Sequence, residues 1–61
     1  MEIVKIFMER DGMSKNEAIE EYESLRNQVH EILEGSGDYD DVEALLAYDY
    51  ELEMDYVMDL I

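Results

Sequence analysis

The stretch 14–34, SKNEAIEEYESLRNQVHEILE, decides the fold. Ser14 stands three residues before Glu17, the spacing at which a hydroxyl and a carboxylate satisfy each other's backbone N–H groups in a capping box. A helix is therefore expected to start at Lys15. Ala18, Tyr22, Leu25, Val29 and Ile32 follow at steps of four and three and form an apolar stripe, while Glu20, Glu23, Glu31 and Glu34 project from the opposite side. Gly35 ends the run. At about 1.5 Å per residue this helix is roughly 30 Å long, the spine of a very small domain.

Outward from that spine there is no proline, and turn signals at Asp11-Gly12, at Gly35-Ser36-Gly37 and more weakly from Tyr48 to Glu51 cut the chain into four segments. All four read as helix. The first, 2–10, places Ile3, Ile6, Phe7 and Arg10 on one side, with Gly12 available for a left-handed closing residue; a strand over 3–8 is the alternative. A third helix opens at Asp38 or Tyr39 and runs to Ala47, with Val42, Leu45 and Leu46 facing inward. A fourth, 54–60, buries Val57, Leu60 and one side of Tyr56. The expected fold is all-α: one domain over 1–61, a small bundle of three to four helices, with a long central helix (15–34) and shorter helices packed on its apolar stripe.

The run Glu9-Arg10-Asp11-Gly12-Met13-Ser14, then Glu17-Ala18, and the closing Leu52-Glu53-Met54-Asp55-Tyr56-Val57-Met58-Asp59-Leu60 resemble a group of small acidic helical proteins of bacterial phages and prophages. The resemblance covers most of the chain and implies a mobile-element origin, without an agreed activity. Before the last helix that group usually has a Gly-Leu-Glu-Pro-Asp-Tyr stretch, whereas Glu51-Leu52-Glu53-Met54-Asp55-Tyr56 lacks both Gly and Pro. Some small acidic phage proteins, anti-CRISPR proteins and other DNA mimics among them, occupy the nucleic-acid grooves of host defence enzymes.

Composition narrows the chemistry. With no Cys there is neither a disulfide nor a thiolate metal site, which suits a reducing bacterial cytoplasm. No apolar run approaches the roughly 20 residues of a spanning helix, and Glu2 and Glu9 are what a signal peptide avoids, so no membrane association is expected. The net charge is −14, yet 48% of residues are hydrophobic, which argues for a folded chain. Ser14, Ser24 and Ser36 have His30 as their one imidazole, with Ser14 and Ser36 already explained by a cap and a turn, so no catalytic set and no enzymatic activity are expected. His30 reads as structural, beside the apolar stripe near the negative end of its helix. Asp38-x-Asp40-Asp41-x-Glu43 follows a glycine turn but lacks the ligand spacing of an EF-hand, and it is read as a solvated helix start, with no metal and no cofactor.

The positive residues are Lys5, Arg10, Lys15 and Arg26, all within the first 26 positions, whereas 27–61 carries eleven carboxylates and no Lys or Arg. Arg10, Lys15 and Arg26 are available for local pairing. The unpaired face is then Glu31, Glu34, Asp38, Asp40, Asp41, Glu43, Asp49, Glu51, Glu53, Asp55 and Asp59, interleaved with Tyr39, Tyr48, Tyr50 and Tyr56, of which Tyr56 and at least one of Tyr48 and Tyr50 are expected to pack inward.

Carboxylates three or four apart on a helix stand about 5–6 Å apart at Cβ, near the phosphate interval of a strand, and exposed Tyr beside carboxylate suits an arginine-rich groove. The eleven acids with Tyr39 are the expected partner-binding residues. The function expected is a phage or mobile-element inhibitor that binds a basic nucleic-acid-binding host protein, such as a CRISPR effector, restriction enzyme or other nuclease, without itself binding nucleic acid. The alternative is a structural or regulatory interaction module whose Met8, Met13, Met54 and Met58 meet a partner helix. A monomer or weak homodimer is expected.

Overall fold

The computed structural model describes residues 2–61. Its elements are helix α1 (Glu2–Asp11), helix α2 (Lys15–Glu34), helix α3 (Tyr39–Ala44), a π-helical turn Leu45–Asp49 that continues α3, and a 3₁₀ helix Met54–Asp59. The architecture is a small all-α bundle, with no strand among the described residues; the segment 3–8 is helical.

Helix α2 begins where its local chemistry dictates. The Ser14 hydroxyl accepts from the Glu17 N–H at 3.2 Å, and the Glu17 carboxylate accepts from the Ser14 N–H at 2.9 Å. Twenty residues later Gly35 caps it, its N–H bonded to the Glu31 carbonyl. Gly37, two positions on, is required by close approach: a Cβ there would lie 2.5 Å from Ile32 Cγ2 and 2.9 Å from the Ile32 carbonyl oxygen. The domain measures 34 × 17 × 17 Å, so the length of α2 sets its long dimension.

One core runs along the α2 stripe. Ile3 and Phe7 of α1, Ala18, Leu25 and Val29 of α2, Val42 of α3, Leu46 of the π turn, and Leu52 and Leu60 near the end of the chain are all buried, so every segment contributes. Tyr22 and Ile32 lie at the margin of the same stripe, half-buried.

The third and fourth helices differ from the sequence expectation. The third does not stop at Ala47 but widens into a π turn through Asp49, and the chain turns at 50–53, two residues later than the sequence signal. The fourth segment is a 3₁₀ helix with no side-chain cap, whose six residues include none that is fully buried. Val57 and Tyr56 are half-buried there, and Leu60 just beyond it is the residue that reaches the core.

Two closures have the same form. Gly12, at φ +70°, is followed by the Met13 N–H, which reaches back six residues to the Phe7 carbonyl at 3.2 Å. Glu51, at φ +53°, is followed by the Leu52 N–H, which reaches back six residues to the Leu46 carbonyl at 2.8 Å. Both are one residue wider than the usual left-handed helix ending. The left-handed conformation costs a residue with a Cβ about 1–2 kcal/mol, so Glu51 holds it only with support. Residues 51 and 54, where the chain lacks the Gly and Pro noted above, are the left-handed position and the first residue of the 3₁₀ helix.

Candidate functional site

The support for Glu51 comes from Arg10. Its guanidinium donates from Nη1 to the Glu51 carbonyl at 2.8 Å and from Nη2 to the Tyr50 carbonyl at 2.7 Å. The same group pairs with Asp11 through Nε and Nη2, both at 3.0 Å. The bonds from Arg10 hold the Asp11 carboxyl below the usual carboxylate range, and those to Asp11 raise the guanidinium further. This is the only ion pair among the described residues, so Lys15 and Arg26 do not pair as the sequence suggested. An open groove of about 340 Å³ surrounds the contact, lined in part by Phe7, Met13, Glu21 and Tyr48.

Three further donors from α2 hold the end of the chain. Gln28 Nε2 donates to the Tyr50 hydroxyl at 2.7 Å, the Tyr22 hydroxyl donates to the Asp59 carbonyl at 2.8 Å, and His30 Nε2 lies 3.0 Å from the Leu60 carbonyl. A carbonyl only accepts, so His30 Nε2 carries a proton and is the donor of this bond. His30 therefore serves the end of the 3₁₀ segment rather than the end of its own helix. Tyr50 is half-buried with its ring against Phe7, centroids 6.1 Å apart. Burial pushes its phenol above the ordinary value, the bond from Gln28 opposes that, and the Glu21 charge adds to it.

Sequence reasoning missed these five long-range hydrogen bonds from four side chains. The local signal for Arg10 was its place at the end of α1, but the carbonyls it serves are 40 and 41 residues away. Such a partner is set by the packing of α1 beside the end of the π turn, which no local pattern encodes.

All twelve residues expected to bind a partner are exposed or half-exposed at the surface. Two of them also open α3. The Asp38 carboxylate accepts from the N–H groups of Asp40 (3.0 Å) and Asp41 (3.3 Å), and the Asp41 carboxylate accepts from the Asp38 N–H at 3.1 Å. The sequence pointed to Asp38 as a helix opener without its reciprocal partner, although the i, i+3 spacing was present. No hydrogen bond or ion pair among the described residues engages the carboxylates of Glu31, Glu34, Asp40, Glu43, Asp49, Glu51, Glu53, Asp55 or Asp59. Tyr39 is 52% exposed and Tyr48 85%, whereas Tyr50 and Tyr56 pack inward.

Among the described residues no three His, Asp or Glu side chains form a group that could hold a metal ion. No helix among them is long and apolar enough to cross a membrane. Searches against protein-family models, curated proteins and solved structures find no match for the chain.

Proposed function

We propose that the protein is an inhibitor from a phage or other mobile element, which uses its acidic surface to imitate a nucleic-acid backbone. It occupies the basic nucleic-acid-binding groove of a host defence protein, such as a CRISPR effector or restriction enzyme, in the host cytoplasm. The observation that carries this reading is the segment from Glu31 to Asp59: eleven carboxylates at the surface, none within ion-pair distance of a cationic side chain among the described residues. A face kept merely soluble gains by interleaving cations at i, i+4; this one has none.

Scale supports the same reading. The 34 Å long axis is about one turn of duplex DNA. A net charge of −14 along 34 Å is one charge per about 2.4 Å, against about 1.7 Å for the duplex. Inhibition of this kind needs no catalytic step, in keeping with the Ser14 hydroxyl and the His30 ring being committed to backbone groups. The alternative, a methionine-lined module for a partner helix, has less surface than the sequence offered, because Met13 and Met54 are packed against the core while Met8 and Met58 remain exposed.

Competition for the groove provides the test. Binding to purified RNA-guided and restriction nucleases should be displaced by duplex DNA and should weaken steeply with salt. Asp40→Lys with Glu43→Lys is the informative charge reversal, because neither carboxylate caps a helix. The pair should weaken binding by about tenfold or more while leaving the circular dichroism unchanged. Undiminished binding by this variant, or a partner indifferent to DNA, would sink the proposal.

A further inference from the structure

Residues 52–61 form a strap fixed at its two ends. Leu52 and Leu60 are buried, 5% and 0% exposed, and none of the 3₁₀ residues between them is. Met54, Tyr56 and Val57 between them are half-buried against the core, the Leu52 N–H bonds to the Leu46 carbonyl, and Tyr22 and His30 bond to the Asp59 and Leu60 carbonyls. Tyr22 and His30 lie on α2, eight residues and so about 12 Å apart. Six residues of 3₁₀ helix without a side-chain cap do not hold themselves together. The strap therefore has its shape because α2 lies beneath it.

The hinge that joins the strap to α3 and its π turn is under strain. Glu51 is the single non-glycine residue with positive φ among those described, and an extended hinge relieves it. The Leu52 and Leu60 insertions, the packing of Met54, Tyr56 and Val57, and the bonds from Tyr22 and His30 all join the strap to residues before the hinge, so a strap from a second copy can make the same contacts. What changes between the two arrangements is the hinge, together with the separation of the copies.

We infer that this chain forms a dimer by reciprocal exchange of residues 52–61, each copy's Leu60 completing the core of the other. Two terms oppose the exchange. Arg10 holds the closed hinge through the Tyr50 and Glu51 carbonyls, and two copies of net charge −14 repel. Salt screens the second term, so the dimer gathers at high salt and high protein concentration. This inference rests on the hinge and the strap alone and stands or falls independently of the proposed inhibitor.

The chain has no cysteine, so Met58→Cys, at an exposed strap position, takes a single spin label. Labelled copies without isotope are mixed with unlabelled ¹⁵N copies, refolded together, and studied at millimolar concentration and high salt. Exchange predicts that α2 amides of the ¹⁵N copy around Tyr22 and Val29 broaden, in the same pattern that the label produces within one copy. A dimer with a different pattern, or a monomer under all conditions by light scattering, overturns the inference. Glu51→Gly, which relieves the closed hinge, should lower the association constant by about tenfold, and an unchanged constant also counts against exchange.

Discussion

The closure at Gly12 and the closure at Glu51 are the same backbone device, yet they are maintained by different means. At the first, glycine adopts φ +70° at no steric cost, and nothing outside α1 and the turn is needed. At the second, a glutamate adopts φ +53° while an arginine from the opposite end of the sequence holds the flanking carbonyls. The contrast extends to the whole molecule. Taking α1 and α2 as the first half and residues 35–61 as the second, acidic half, each side-chain bond that links the two among the described residues is donated by Arg10, Tyr22, Gln28 or His30 and accepted by groups at Tyr50, Glu51, Asp59 or Leu60. A half without Lys or Arg, whose charged groups are ionised carboxylates, has acceptors in excess and must borrow donors. The first half is specified locally; the acidic half takes its shape from the first.

The largest effect that could break this comparison is on the core the halves share. Leu46, fully buried, belongs to the acidic half and carries the carbonyl that closes on Leu52. Leu46→Ala should cost about 2–5 kcal/mol, comparable to the whole stability of a domain this small, roughly 3–5 kcal/mol. Circular dichroism should show α2 melting together with the rest. Retention of α2 with loss of α3 alone would mean that the halves fold independently.

Next in size is Arg10→Ala. It removes two charge-assisted bonds to carbonyls from a partly exposed side chain, so the expected loss is about 1–2 kcal/mol in chemical denaturation. Amide exchange should accelerate at 50–52 before it does in α2. Arg10→Lys keeps the charge but not the planar fork and should recover less than half of the loss. If Arg10→Ala left residues 50–52 protected, the acidic closure would be self-supporting after all.

How much of this was legible follows from the same contrast. The start of α2 at Lys15, its end at Gly35 and its buried stripe could be read because capping box, glycine and periodicity lie within a few residues of one another. The π turn and the 3₁₀ strap could not. Their form depends on how Leu46, Leu52 and Leu60 reach the core and on donors up to 41 residues away. For the candidate site, exposure of the acids was legible from their number and spacing. That Tyr50 would pack on Phe7 while Tyr48 stayed 85% exposed was not, since a shift of two residues along a widened helix separates them.

A smaller pair of substitutions sharpens the comparison because it should act with opposite sign on one geometry. Gly12→Ala introduces a Cβ at positive φ and should destabilise by about 1 kcal/mol, although space for the methyl is open. Glu51→Gly removes that penalty at the partner closure and, after the entropic cost of glycine, should stabilise by about 0.5–1 kcal/mol. Thermal melts of the two variants against the parent decide it. Two changes of the same sign would show that the closures are not equivalent.

The smallest effect concerns pH and falls on the locally specified half. The Glu17 carboxyl is held below its ordinary value by the Ser14 N–H and hydroxyl. A carboxyl whose folded value is depressed contributes its full stabilisation above the unfolded value, about 4.3 for glutamate, and loses it as pH falls through the folded value. Acid should therefore fray the first turn of α2 in the window below about pH 4.3. The Asp11 carboxyl, depressed by Arg10, acts with the same sign at the end of α1. Protonating Asp11 removes the charge that steadies the Arg10 guanidinium, so the Glu51 closure should loosen in the same acidic window although it lies about 40 residues along the chain. An NMR titration that follows the Ser14 and Leu52 amides checks both. If the Leu52 amide stayed unperturbed while Asp11 titrated, Arg10 would hold the acidic half through the carbonyl bonds alone.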